Sequence, residues 1–260
     1  MRLSICALAL LFQSAFLADW TPPANPDPDK ILDEAQADAR TRRYADALAK
    51  HVWFHENALK YAPSLAGVRL SFALGYWIKL GDVYPPARQK LKSIRDEDGK
   101  KIRDADRDRR IFELFHDYAS INRELEDESK TTELFVWLDA NKPKAASRVF
   151  DVAENALIQS KQYRLCGKYI DPDLNLSRIV RLYRLDKGLS KDKKFGAELG
   201  DYTEKSFSHE VATLVALLVI NDRKADALRV AEKALKERDD PVFRQELEKA
   251  KKGEVPPPWP

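Results

Sequence analysis

Residues 45–81 read ADALAKHVWFHENALKYAPSLAGVRLSFALGYWIKLG, two apolar-periodic runs separated by Tyr61-Ala62-Pro63-Ser64. In the first run Leu48, Val52, His55 and Leu59 recur at three- and four-residue spacing, the repeat that lines one face of a helix. Pro63 lacks a backbone N–H and clashes with the preceding turn, so it stops that helix. Ser64 then offers a hydroxyl that can accept from the exposed N–H groups of the next one. The second run, Leu65 to Leu80, reads as a helix that ends at Gly81, a residue suited to a C-terminal cap. Two helices joined by a few residues form an antiparallel hairpin.

The same grammar extends in both directions. Ile31 to Arg42 is an Ala-rich helix, and Pro85-Pro86 can occupy the first turn of another, where missing N–H groups cost nothing. Arg95 to Arg110 alternates charge sign and is expected to be a solvated turn or helix extension. Ile111 to Leu125, Thr131 to Leu138 and Ala145 to Gln159 follow as helices. Asp171-Pro172 is a cap-plus-proline start for Leu174 to Leu185, and Lys187 to Lys205 is ambiguous. His209 to Ile220, Ala225 to Glu237 and a charged helix from Val242 to Lys252 complete the series. Strand-like alternation is absent, and the expected class is all-α.

Several of these pairs resemble tetratricopeptide repeats, helical hairpins of about 34 residues with the pattern W-x2-L-G-x2-Y, A-x3-F and a final Pro. Ser71-x2-Leu74-Gly75-x2-Ile78 followed by Ala87-x3-Leu91 reproduces the Leu-Gly pair and the small Ala. It departs at Ser71, Ile78 and Leu91 and has no closing Pro. Val211-x2-Leu214-Val215-x2-Leu218, then Ala227, Ala231, Ala234 and Pro241, is a second partial match. Tyr44, Ala47, Ala58, Leu59 and Pro63 are similar to the second half of a repeat with a longer helix. The resemblance covers about half of the chain and implies hairpins stacked as an αα-superhelix over 30–252, with the Val242 helix as a solubilising cap. A compact helical bundle is the alternative. The segment His51 to Ala87 also looks like exported bacterial proteins of unassigned activity.

Composition limits the function. Lys+Arg number 45 against 42 Asp+Glu, a net charge of +3, so no bulk positive charge drives nucleic-acid binding. Met1-Arg2 followed by the apolar Ile5 to Leu17 fits a secretory signal, expected over 1–18, with cleavage after Ala18 or Ala15. An exported, periplasmic or extracellular protein follows. Cys166 is then its lone thiol, and no later apolar run is long enough to span a membrane. The Pro-rich stretch 19–29 reads as a linker and 253–260, GEVPPPWP, as a tail. Either could dock through its Trp or serve as a spacer.

Candidate chemistry is sparse. His51 and His55 lie one helical turn apart and could share a metal ion, with a third ligand from His116, His209 or a carboxylate. The HExxH order fails, because Val52 follows the first His and Glu56 follows the second. Asp104, Asp106 and Asp108 imitate the start of a calcium loop, but Arg109 stands at the obligatory Gly and Phe115 at the bidentate Glu. Cys166 follows Tyr163 by three residues, as Ala47 follows Tyr44, and reads as a small buried hydrophobe.

No phosphate loop or nucleophile elbow is present, and no cofactor is expected. The resemblance turns Arg69, Phe72, Tyr76 and Lys79 toward the concave face. Family members that bind a terminal carboxylate use a Lys and Asn pair there, and Phe72 and Tyr76 depart from it. The expected function is a non-catalytic interaction module for a protein or peptide partner. The alternative is a helical hydrolase or metal-dependent enzyme working near His51 and His55.

Overall fold

The computed structural model describes residues 19–105, 108–190 and 196–257. The expected signal at 1–18, Asp106 of the calcium-loop lookalike and Pro258 to Pro260 lie outside the described residues. Within the described residues the regular structure is helical throughout, and the class is all-α, with consecutive helices packing as hairpins. No helix among them is long and apolar enough to cross a membrane.

The span 30–252, expected as one domain, divides into two compact units. One comprises residues up to Lys101 with Ser120–Glu126, and the other Ile102–Ala119 with everything from Asp127 onward. The first unit contains α1 (Pro28–Arg40), α2 (Tyr44–Tyr61), a 3-10 turn (Pro63–Leu65), α3 (Ala66–Arg69), α4 (Phe72–Val83) and most of α5 (Pro85–Asp104). The second holds most of α6 (Asp108–Glu124), then α7 (Glu128–Asn141), α8 (Pro143–Gln159), α9 (Tyr163–Tyr169) and α10 (Pro172–Leu189). It ends with α11 (Gly196–Ile220), α12 (Lys224–Leu235) and α13 (Pro241–Ala250).

Local chemistry explains where the helices begin and turn. Asp27-Pro28, Asp171-Pro172 and Asp240-Pro241 start α1, α10 and α13 in the same way. Each Asp side chain accepts from two first-turn amides, and each Pro sits where its missing N–H is not needed. Helix α1 therefore begins at Pro28, inside the stretch read as linker. The turns α1–α2, α8–α9 and α11–α12 share one geometry. Arg42, Lys161 and Asp222 adopt φ of 63°, 57° and 62°. The next residue then donates back across the turn: Arg43 N–H to the Asp38 carbonyl, Gln162 to Leu157 and Arg223 to Leu218, at 2.8, 2.8 and 2.9 Å. This is the Schellman closure, and it reverses the chain without a glycine.

The structure corrects five local readings. On α2 the buried residues are Ala47, Lys50, His51, Phe54, His55 and Ala58, so of the stripe read in the sequence His55 is buried, Leu48 and Val52 are partly buried against the core, and Leu59 is 37% exposed. Large apolar residues suggested the register, whereas small ones at Ala47 and Ala58 set where neighbouring backbones come close. The run Leu65 to Leu80 is broken at Leu70-Ser71, where Ser71 takes φ −135° and ψ −93°. The Ser71 hydroxyl donates to the Gly67 carbonyl at 2.7 Å, and no side chain caps the turn that contains Ser64. Gly81 is not a cap, since α4 runs on to Val83 and Gly81 is buried inside it. A Cβ there would lie 2.9 Å from Arg88 Cβ and 3.2 Å from its backbone N, so the missing side chain lets α4 and α5 meet. Finally, the charged run beginning at Arg95 is not wholly solvated, because Arg95 and Asp98 are buried in α5 and Arg95 Nη1 donates to Asn122 Oδ1 at 3.4 Å.

Each unit has its own core. In the first, Trp77 is fully buried and its indole N–H donates to the Ala87 carbonyl at 2.9 Å. Lys50 on α2 pairs with Asp38 at 2.8 Å and Glu34 at 3.1 Å on α1, and Arg43 joins the same Asp38 carboxylate. In the second unit Phe135 sits among Phe115, Phe150 and Tyr169, with the Tyr169 ring edge-on at 5.4 Å. Cys166 is fully buried in this core, and burial pushes its thiol up to about 12. Gly167 beside it is required by Asn221, whose side chain donates to the Tyr163 carbonyl at 2.9 Å and occupies the space a Cβ would need.

Both ends dock in cis as far as they are described. The Asp19 and Trp20 amides donate to Asp46 Oδ1, and the Trp20 ring meets Trp53 edge-on at 6.4 Å, with Lys50 Nζ over it. At the other end Gly253 turns with φ 83°, Val255 packs on the second core, and the Pro257 carbonyl bonds His209 Nε2 at 2.7 Å.

Candidate functional sites

The first site is the face of α4. Phe72, Tyr76 and Lys79 lie four and three residues apart and share one helical face, which Val83 extends by one more turn. Phe72 is 67% exposed and Val83 59%, so two large apolar side chains stand in water on the same stripe. Tyr76 is half-buried, its ring packed on the cluster of Leu32, Phe54, Ala58 and Ala73, and Lys79 Nζ lies 5.9 Å from its centroid. The fourth expected member is on a different element. Arg69 belongs to the separate short helix α3, and its Nε donates to the His55 carbonyl at 2.6 Å.

His51 and His55 lie behind this face. Both are buried, with His51 stacked on Trp77 at 5.7 Å and His55 edge-on to it at 6.1 Å. Burial holds the His51 imidazole down at about 4, so it is neutral at ordinary pH. His116 and His209 belong to the second unit. Among the described residues no three His, Cys, Asp or Glu side chains come together closely enough to hold a metal ion.

A second site, which the sequence reading missed, is a cavity of about 100 Å³ in the second unit. Helix α8 contributes Glu154, Asn155 and Ile158, α10 contributes Asn175, Arg178 and Ile179, and α11 contributes His209, Glu210, Thr213 and Leu214. Pro256 of the docked tail forms one wall. Glu154 is only 19% exposed, and its Oε2 lies 3.6 Å from Arg178 Nη2, whose other arm is taken by Asp151 at 2.9 Å. Burial raises the Glu154 carboxyl to about 7, with the Asp151 and Glu210 charges adding to the rise against Arg178. Glu210 accepts from the Ser206 hydroxyl at 3.0 Å. Thr213 is 8% exposed, and its buried hydroxyl has no hydrogen-bond partner among the described residues.

The only sequence signals for this cavity were a Glu beside the apolar line Ala146, Phe150, Ala153 and Leu157, and a Thr inside the apolar run Val211 to Ile220. No family model matches the chain, and no curated protein or solved structure matches it significantly.

Proposed function

We propose that the chain is an exported, tetratricopeptide-like protein of the periplasm or cell exterior. It acts as a non-catalytic interaction module that docks a protein or peptide partner on α4. The observation that carries this reading is the stripe Phe72, Tyr76, Lys79 and Val83, in which exposed apolar groups and a cation line up over three turns of one helix. Covering Phe72 and Val83 is worth about 1–2 kcal/mol each, enough to anchor a partner when a half-buried Tyr and a Lys supply direction. Support for the repeat character comes from the hairpins of consecutive helices and from the turn they share. Arg43-Tyr44-Ala45-Asp46-Ala47-Leu48 and Arg223-Lys224-Ala225-Asp226-Ala227-Leu228 follow that turn with nearly the same residues, and Ala47 and Ala227 are both buried. Export rests on the apolar start of the sequence.

The test is site-specific photo-crosslinking in the protein's own host. A photoreactive residue at position 72 is expected to give a discrete adduct that a probe at exposed Lys60 does not. The adduct should vanish when Val83→Asp is added without loss of helical content. Equal labelling from both positions, or none from position 72, would sink the proposal.

A further inference from the structure

The cavity between α8, α10 and α11 is independent of the α4 face. Glu154 and Glu210 supply two carboxyl groups to its wall, while Arg178 supplies one guanidinium that is shared between Glu154 and Asp151, the latter outside the lining. The one guanidinium in the wall is thus already engaged, and Glu210 has no cation assigned to it there. Thr213 adds a buried hydroxyl with no partner among the described residues, an arrangement that costs free energy unless something else completes it. Asn155 and Asn175 offer further amide donors and acceptors, and Ile158, Ile179, Leu214 and Pro256 close the apolar sides.

A metal ion does not suit this arrangement, because Glu154, Glu210 and His209 border the space without converging on one point. A larger organic cation does. A cavity near 150 Å³ holds benzene, so 100 Å³ has room for about four heavy atoms.

We propose that this cavity binds a small aliphatic ammonium ion, with Glu154 and Glu210 flanking the charge and Thr213 hydrogen-bonding a ligand hydroxyl. Binding ionises Glu154: its carboxyl proton leaves to solvent as the ammonium takes its place, and the ligand itself stays protonated. The groups facing Glu154 are Asp151 on its own helix, Arg178 on α10, His209 and Glu210 on α11, and the buried thiol of Cys166 on α9. Arg178 favours the ionised carboxyl, whereas Asp151, Glu210 and burial oppose it. Affinity should accordingly be flat from about pH 8 up to the point where the amine loses its own proton, and fall as pH drops below about 7, by roughly tenfold per unit.

Calorimetric titration of the full chain with ethanolammonium tests this, with ethylene glycol as the uncharged control. The expected result is a dissociation constant of roughly millimolar or tighter for the amine, in line with four heavy atoms, and no measurable uptake of the glycol. Glu154→Gln and Glu210→Gln, both close in shape to the native residues, should each weaken binding at least about tenfold. Thr213→Val should weaken it about fivefold and leave the glycol control unchanged. Each variant is checked for native helical content first.

The ammonium head of a partner's lysine shares this chemistry. Nα-acetyl-lysine methylamide as a second probe separates the sources: tighter binding of that probe assigns the site to a lysine side chain, and tighter binding of ethanolammonium assigns it to a free amine. The proposal is overturned if neither amine saturates the wild type below roughly 10 mM at pH 8. Equal uptake of the glycol, or binding that does not change between pH 8 and roughly pH 5, overturns it as well.

Discussion

Helix α4 carries two glycines, and replacing each with alanine should move stability in opposite directions. Inside a helix, Gly→Ala gains about 0.8–1 kcal/mol from the reduced freedom of the unfolded chain. At Gly75 the new Cβ would meet only Glu124 Oε2, at 3.7 Å, an ordinary contact with the end of a flexible side chain. Gly75→Ala should therefore keep the whole gain. At Gly81 the new Cβ would lie 2.9, 3.2 and 3.3 Å from the Cβ, N and Cα of Arg88. Two of those atoms are backbone, so α4 and α5 must separate, and overpacking of this kind costs about 1–3 kcal/mol. The propensity gain is common to both variants and cancels from their difference, which should be about 1–3 kcal/mol in favour of Gly75→Ala. Urea unfolding followed by far-ultraviolet circular dichroism measures it, the two variants being compared at equal slope. If they shift together, within about 0.5 kcal/mol, the close crossing at Gly81 is wrong.

Three further outcomes are expected. The imidazole of His51 is held down at about 4 by burial, against 6.5 in its unperturbed form. Its neutral state thus contributes stability that is fully present above pH 6.5 and disappears as pH falls toward 4, about 3 kcal/mol in all. Urea midpoints measured across that window should flatten in His51→Phe, and an unchanged slope would refute the assignment. The Cys166 thiol, fully buried and raised to about 12, should react with an aromatic disulfide reagent only as fast as the unit opens, and burst labelling of the native protein would contradict this. Deleting residues from Glu254 onward removes the Pro257–His209 hydrogen bond and the packing of Val255, and should cost about 1–2 kcal/mol on thermal unfolding. An unaltered melting temperature would mean that the tail is not held.

The helices were legible because their signals are local. Asp171-Pro172 marks the start of α10 within a few residues, and Pro63 marks the end of α2 with no knowledge of the rest of the chain. What failed was whatever depends on a neighbour. Gly81 looks like a cap in sequence and proves to be a crossing point only when Arg88 is set beside it. Arg95 looks like a solvated charge until the Asn122 side chain, distant in sequence, is brought against it. The α4 stripe was half legible: the repeat resemblance put Phe72, Tyr76 and Lys79 on one face, while the break at Ser71 that places Arg69 on a separate helix leaves no strong mark in the sequence. The Glu154 cavity was not legible, since it exists only where three separate helices meet.

The left-handed residues that close the interhelical turns carry a consequence for engineering. Arg42, Glu126 and Lys161 are exposed, yet each holds a backbone conformation that costs an ordinary L-residue about 1 kcal/mol and a glycine almost nothing. The chain has only 9 glycines and uses none of them at these positions. It therefore holds unused thermal tolerance at three surface positions, and a triple glycine variant would draw on that reserve through the backbone alone.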